Sequence, residues 1–193
     1  MNESDAITAK RKTVTNITFI ALFAALTAAG TFISIPLPFS PVPVVLQNFF
    51  ALLSGLILGP ALGTAATGLY LLAGAVGAPV FAGAAGGFAR FLGPTGGFLF
   101  GYLLAALTAG LVAGRPRPDT AASRWRIILA VPAGFLIIYV PGVIRLKFVI
   151  DQPWAAALAA GFVPFIIGDV IKGIAAVIIA PRLRRIAAEH LAR

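Results

Sequence analysis

Long apolar segments alternate with short polar, proline-rich or glycine-rich breaks along almost the whole chain. Because about 20 apolar residues span a bilayer as a helix, this pattern predicts an all-α integral membrane protein with six transmembrane helices. The predicted segments are residues 17–35, 44–58, 61–77, 98–112, 127–144 and 154–180. The second segment is short and is stopped by Gly59-Pro60.

Two of the breaks have a distinctive composition, and both are predicted to be loops on the outer side of the membrane. Residues 35–43 contain four prolines, which exclude a helix because proline lacks the amide hydrogen and clashes with the preceding turn. Residues 82–97 are rich in glycine and carry Arg90, whose planar guanidinium is suited to binding a carboxylate. We expect this second loop to be ordered and to cover a ligand; the alternative is a flexible loop with a surface arginine.

Composition excludes several classes of function. Sixty per cent of the residues are apolar and 11% are charged, whereas about 25% of residues are charged in a typical soluble domain. Cysteine is absent, and the single histidine, His190, lies near the end of the sequence. A histidine-based metal site or a Ser-His-Asp triad is therefore not available. We expect no enzymatic activity, no metal and no cofactor.

The net charge of +9 predicts membrane topology and not nucleic-acid binding, because the basic residues cluster at segment ends without interleaved aromatic residues. With six spans, one side of the membrane carries eleven basic residues and the other carries Arg90, Arg145 and Lys147. Cytoplasmic loops are enriched in lysine and arginine, so both termini should be cytoplasmic. This predicts a cytoplasmic N-terminal segment (residues 1–16), a membrane domain (17–185) and a cytoplasmic tail (186–193). The eleven are Lys10, Arg11, Lys12, Arg115, Arg117, Arg124, Arg126, Arg182, Arg184, Arg185 and Arg193.

Asp169 and Lys172 are charged residues inside the last apolar segment. Placing a charged side chain in hydrocarbon costs roughly 3 kcal/mol even on lenient scales. Such side chains therefore usually face a bundle interior or a polar cavity. Their i, i+3 spacing places both side chains on one face of a helix, about 5–6 Å apart at Cβ. We interpret them as part of a polar binding pocket; the alternative is a buried ion pair that joins two helices.

Other polar and small residues extend this picture. Gln47 and Asn48 open the second segment, beside the proline-rich break, and are candidates for the mouth of the pocket. Tyr70 and Tyr139 could direct hydroxyl groups inward, although tyrosine also packs at membrane interfaces. In the first segment, alanines recur every four residues, a spacing that allows close helix packing, either within the bundle or against another subunit. These alanines are Ala21, Ala25 and Ala29.

Several motifs together resemble the BioY family, the biotin-specific S component of energy-coupling-factor (ECF) transporters. The resemblance covers residues from about 21 to 172, and its most specific elements are the Gly-Pro-Thr-Gly-Gly and Asp-x-x-Lys motifs. Phe98 departs from the tyrosine that the family often has at this position. The residues that carry the resemblance are Pro41-Val42-Pro43 with Gln47, Gly55-Leu56-Ile57-Leu58-Gly59, Tyr70 with Gly74, Gly77 and Pro79-Val80-Phe81, Gly86-Gly87, Gly93-Pro94-Thr95-Gly96-Gly97, and Gly168-Asp169 with Lys172.

The resemblance implies a six-helix bundle with an outward-facing biotin pocket in the plasma (inner) membrane of a prokaryote, surrounded by membrane lipid. It implies that the first helix docks a transmembrane coupling subunit linked to ATPase subunits. Asp169 would accept from the ureido N–H groups, while Lys172 and Arg90 would share the ureido carbonyl and the carboxylate, in either order. An S component for another vitamin and a structural adaptor without a ligand stay open as alternatives.

Overall fold

The computed structural model describes residues 3–118 and 123–191. Five helical units in this part of the chain are long and apolar enough to cross a membrane: Ile7–Phe32, Gln47–Ala75, Gly96–Ala113, Arg124–Ile150 and Trp154–Leu191. In chain order the elements are α1 (Glu3–Ala29), a 3₁₀ turn (Gly30–Phe32), β1 (Ser34–Leu37), β2 (Ser40–Val45), α2 (Gln47–Ala75), α3 (Ala89–Leu92), α4 (Gly96–Ala113), α5 (Arg124–Ile150), α6 (Trp154–Gly161), a 3₁₀ turn (Val163–Phe165) and α7 (Ile166–Leu191).

Helix α2 covers most of the second and third predicted segments and is broken between them, whereas Val44 and Val45, predicted to open the second segment, lie in β2. Gly59 has a φ of 82°, a left-handed conformation that glycine adopts without a Cβ clash. The hydroxyl of Ser54 lies 3.0 Å from the carbonyl oxygen of Gly63 and 3.2 Å from the hydroxyl of Thr67. A straight helix rises about 1.5 Å per residue and would separate these pairs by roughly 14 and 20 Å. The two halves of α2 therefore fold back against each other.

Small residues permit this close return of the chain. A Cβ added to Gly63 would lie 2.6 Å from the Cα atom of Gly55. A Cβ added to Gly55 would in turn lie 2.0 Å from the carbonyl oxygen of Ala106 in α4. A side chain at Gly63 would force the two halves of α2 apart, and a side chain at Gly55 would force α2 and α4 apart, so glycine sets both distances.

The proline-rich break is a β-hairpin. Strands β1 and β2 pair antiparallel, with Ser34 opposite Val45 and Leu37 opposite Ser40. Both strands are edges, where proline is tolerated because its missing N–H can face outward. The prediction that the first helical segment extends to Ile35 is wrong, because the helical structure ends at Phe32 and Ile35 lies in β1.

Neither of the predicted segment boundaries at residues 16 and 185 is a break in the helices. Helix α1 begins at Glu3 and passes through residue 16, and α7 continues to Leu191. Ala187 and Ala188 are buried in the bundle, and the ring of His190 packs edge-on against Phe19, 6.3 Å between centroids. The described parts of both terminal segments are therefore extensions of membrane helices.

The end of the bundle opposite the hairpin, which we call the basic end, includes Arg126 and Arg184. Arg126 Nε donates to the carbonyl oxygen of Val112 at 2.8 Å. Arg184, which is buried, donates to the carbonyl of Gly114 at 3.0 Å and also to that of Leu56. These carbonyls lie at helix C-termini, whose partial negative charge favours a nearby cation. At the other end, Ser40 of the hairpin donates to the carbonyl of Ala160 at 2.7 Å.

Candidate functional site

A cavity of about 440 Å³ lies at the hairpin end of the bundle, within the size range of about 300–1,000 Å³ typical of small-molecule sites. The hairpin and the glycine-rich loop form its rim, and the first turns of α2 and α4 contribute to its wall. Its polar lining residues are Ser34, Ser40, Gln47, Arg90, Thr95 and Tyr102. Its apolar lining includes Pro36, Leu37, Pro41, Val42, Pro43, Val45, Phe81, Phe98 and Leu99.

Gln47 ties three elements together beside the cavity. Its Nε2 group donates to the carbonyl oxygen of Val80 at 2.8 Å and to the hydroxyl of Thr31. Thr31, at the end of the first helical unit, also donates to the Val80 carbonyl, at 2.5 Å. The amide of Gln47 therefore joins the 3₁₀ turn after α1 and the start of α2 to the segment that leads into the glycine-rich loop.

The glycine-rich loop is packed against the bundle through aromatic side chains. Phe81 packs edge-on against Tyr70 and against Phe91, with 5.6 Å between ring centroids in both pairs. The Phe81 ring fills the space over Gly74, where an added Cβ would lie 2.1 Å from a ring carbon. Arg90 lies in the short helix α3 and is exposed at the cavity rim.

A second group of polar residues, which we call the Asp169 cluster, consists of Asn48, Tyr139, Asp169 and Lys172. Lys172 Nζ lies 3.0 Å from Asp169 Oδ1, and the two side chains are 11% and 8% exposed. Asn48 Nδ2 donates to Asp169 Oδ1 at 2.9 Å, and the Tyr139 hydroxyl donates to Asp169 Oδ2. Asp169 and Lys172 therefore share one face of a helix, as their spacing predicts, whereas Asn48, expected at the mouth of the pocket, lies beside this pair.

The cluster is electrically balanced and internally satisfied. Lys172 Nζ donates to Asp169, to Asn48 Oδ1 at 2.9 Å and to the carbonyl oxygen of Val45 at 2.9 Å. An ammonium has three N–H donors, so each of them has an acceptor. Both carboxylate oxygens of Asp169 also have donors. Opposite charge and hydrogen bonds offset part of the cost of removing the pair from water.

Six of the seven residues predicted to contact the ligand thus fall into two adjacent groups. Gln47 and Arg90 line the cavity, whereas the four members of the Asp169 cluster lie behind its wall. Two contacts join the groups: Lys172 binds the carbonyl of Val45, and the Tyr139 ring packs edge-on against Phe98 at 6.3 Å. Val45 and Phe98 both line the cavity.

Tyr70 occupies a different position from the one expected for a ligand contact. It is 1% exposed, and its ring supports Phe81, which lines the cavity. Within the described part of the chain, the Tyr70 hydroxyl has no hydrogen-bond partner. The structure therefore places Tyr70 behind the cavity wall.

Three alanines of α1, spaced four residues apart, face outward. Ala21, Ala25 and Ala29 are exposed, whereas Ala24 is buried and Ala28 is partly buried. The two series of alanines therefore lie on different faces of α1, and the Ala21–Ala25–Ala29 face is not used for packing within the bundle.

The comparisons with known proteins agree with this architecture. The sequence model of the BioY family matches residues 2–189. The chain belongs to the BioY family. The biotin transporter BioY of Thermotoga maritima is 44% identical over 169 residues, covering 88% of this chain and 95% of that protein. The biotin transporter BioY of Lactococcus lactis subsp. cremoris is 35% identical over 178 residues, covering 91% of this chain and 92% of that protein.

A solved structure has the same fold. The crystal structure of the S-component for biotin from an ECF-type ABC transporter superposes with a TM-score of 0.79 at 30% identity, covering 96% of this chain and 95% of that one. The apolar helices and the transporter relatives together identify this BioY chain as a multi-pass membrane protein. These relatives are transporters and not enzymes.

Sequence reasoning missed part of the cavity of this BioY chain. Tyr102 lines it from α4 and is as deeply placed in an apolar segment as Tyr70 and Tyr139, a signal that could have identified it. Ser34 and Ser40 could not be placed without the hairpin register, which brings them to the cavity from opposite strands. Thr31 acts on the site only through Gln47 and Val80, a contact between distant parts of the chain.

Proposed function

We propose that this chain is the high-affinity biotin-binding subunit of an ECF-type transporter and mediates biotin uptake. The observation that carries the proposal is the cavity at the hairpin end, with Arg90 at its rim and the buried Asp169 cluster behind its wall. A bundle with a TM-score of 0.79 to a biotin S-component supports the choice of ligand.

The chemistry of biotin matches this inventory. Its fused rings are compact and partly apolar, its ureido group offers two N–H donors and one carbonyl, and its tail ends in a carboxylate. Asp169 accepts from the ureido N–H groups, Lys172 donates to the ureido carbonyl, and Arg90 binds the carboxylate. The alternative exchanges Lys172 and Arg90.

Binding in this way requires the Asp169 cluster to exchange internal hydrogen bonds for bonds to the ligand. The bond from Lys172 to the carbonyl of Val45 is the one nearest the cavity, because Val45 lines it. Gln47 contacts the ligand from the wall, Asn48 and Tyr139 hold the carboxylate of Asp169 in place, and Tyr70 supports the wall through Phe81. Charge-assisted bonds that are already oriented lower the ordering cost of binding.

The topology proposed for this function counts the two halves of α2 as separate spans, which gives six. The halves are short, at about 18 and 24 Å for 12 and 16 residues, against roughly 30 Å for the hydrocarbon core. The basic end of the bundle faces the cytoplasm of a prokaryotic cell, with the described ends of α1 and α7, and the cavity opens outward. Residues 1–16 and 186–193 are then the cytoplasmic extensions of the membrane domain.

The energy for uptake is supplied by a partner. The sequence has no ATP-binding motif, so a transmembrane coupling subunit linked to ATPase subunits provides it. The exposed Ala21–Ala25–Ala29 face of α1 is the proposed docking surface, because small residues at four-residue intervals allow helices to approach closely. A packing role within the bundle is not supported, since these alanines are exposed.

Equilibrium binding of radiolabelled biotin to the purified chain in detergent, with competition by unlabelled biotin and by other vitamins, tests the ligand. The proposal expects saturable binding that unlabelled biotin alone displaces at equal concentration. Displacement by a second vitamin at lower concentration would favour the reading as an S component for that vitamin. Absence of binding to any of them would favour the structural adaptor.

A further inference from the structure

A second concave surface, which we call the lipid groove, lies between α4 and α5 on the outside of the bundle. Its volume is about 530 Å³. Phe100 and Leu104 of α4 and Val140, Ile144 and Phe148 of α5 give it an apolar lining, and Arg145 is its one charged lining residue. Phe100, Val140 and Phe148 are more than half exposed. Because the chain is a multi-pass membrane protein, the groove is open to the surrounding bilayer.

Arg145 is incompletely satisfied. Its Nη2 group donates to the carbonyl oxygen of Leu92, but its buried Nε group has no partner in the described chain. Among the described residues, neither the Lys172–Asp169 pair nor the Arg185–Glu189 pair involves Arg145, and no described carboxylate is paired with it. A guanidinium has five N–H donors and binds phosphate in a planar, two-pronged geometry.

Further positive charge lies at the end of the groove that contains Arg145. Lys147 Nζ lies 4.9 Å from the centroid of the Phe148 ring, and Phe148 lines the groove. Gly96 and Gly97, the first residues of α4, also line it. The N-terminus of a helix carries partial positive charge and attracts anions. The groove therefore has one electropositive end and one apolar end.

We propose that the lipid groove binds an anionic phospholipid, with the phosphate at Arg145 and an acyl chain along α4 and α5. From Gly96 to Leu104 the groove follows eight residues of α4, about 12 Å, which fits within one leaflet of a hydrocarbon core roughly 30 Å thick. The site lies directly behind the cavity, because Thr95, which precedes α4, and Phe98 and Leu99 in its first turn line the cavity wall. The bound lipid would therefore support that wall from the membrane side.

Native mass spectrometry of the full chain tests the proposal, with equal amounts of phosphatidylglycerol and phosphatidylcholine that carry the same acyl chains. One cation near a membrane surface is expected to favour the anionic lipid by about fivefold. Arg145→Gln should bring the ratio of bound phosphatidylglycerol to bound phosphatidylcholine close to one. Arg117→Gln, in the loop at the opposite end of the bundle, should leave this ratio unchanged. Excess inorganic phosphate should not displace the lipid, because the acyl chain contributes to binding.

The apolar half of the groove is tested separately. Val140→Trp should fill the groove and reduce retention of both lipids, whereas Leu129→Trp, at an exposed position near the other end of α5, should not. Arg145→Lys keeps the charge and should keep the preference if Arg145→Gln disturbs folding. A ratio of one in the unmodified chain, an unchanged ratio in Arg145→Gln, or equal effects of the two tryptophans would overturn the proposal.

Discussion

The Asp169–Lys172 pair gives the sharpest prediction, because a binding role and a structural role lead to different outcomes. The perturbations are Asp169→Asn, Lys172→Met and the double change. Lys172→Met removes three donated hydrogen bonds and leaves a buried carboxylate held only by Asn48 and Tyr139. Asp169→Asn keeps an oxygen that can accept a hydrogen bond from Lys172 but removes the counter-charge of the ammonium.

The expected magnitudes follow from this geometry. Breaking a buried pair costs about 3–5 kcal/mol, whereas hydrogen bonds within membrane bundles average about 0.6 kcal/mol each. Because both side chains are nearly buried, we expect Lys172→Met to lower the free energy of unfolding by about 3 kcal/mol. Asp169→Asn should cost less, about 2 kcal/mol, because an asparagine oxygen still accepts hydrogen bonds.

The assay measures unfolding in detergent and biotin affinity for all four proteins, as a double-mutant cycle. Replacing both partners of a buried pair is often neutral or stabilising, so the double variant should regain much of its stability. If the pair contacts the ligand, the double variant should still lose affinity by at least about a hundredfold, the value of two charge-assisted hydrogen bonds. Recovery of both stability and near-native affinity would refute the binding role.

Three further predictions concern recognition, coupling and topology. Arg90→Ala should weaken biotin binding about tenfold, through loss of one charge-assisted hydrogen bond, and should barely affect an analogue without the carboxylate; equal losses would remove Arg90 from carboxylate recognition. Ala25→Leu should leave biotin binding intact and lower uptake by cells that contain the coupling partners, unlike the exposed control Ala159→Leu; lost binding would mean that the face packs internally. In this cysteine-free chain, Phe39→Cys should react with an impermeant maleimide added outside intact cells while Ser123→Cys should not; the reverse pattern would invert the orientation.

Local patterns predicted the features of this structure that depend on neighbouring residues. The i, i+3 spacing of Asp169 and Lys172 placed them in contact, because a helix fixes that geometry. Gly59-Pro60 marked the break in α2, because both residues disfavour a continuous helix. The four prolines excluded a helix but did not reveal the hairpin, whose register depends on pairing between strands.

Long-range contacts could not be read in the same way. The acceptors of Lys172 in α2 and β2 lie more than 120 positions away along the chain, so periodicity carries no information about them. The same holds for the bond from Gln47 to Val80, which lies 33 positions away along the chain. The separation of the site into a cavity and a closed polar cluster therefore emerged only from the packed structure.

The most direct test of the central claim is an experimentally determined structure of the purified chain with bound biotin. The account predicts ligand density between the hairpin and the glycine-rich loop, with the fused rings toward Asp169 and Lys172 and the carboxylate beside Arg90. In that structure, the bond from Lys172 to the carbonyl of Val45 should be replaced by a bond to the ligand. Biotin bound elsewhere, or bound in this cavity with the Asp169 cluster unchanged and out of contact, would contradict it.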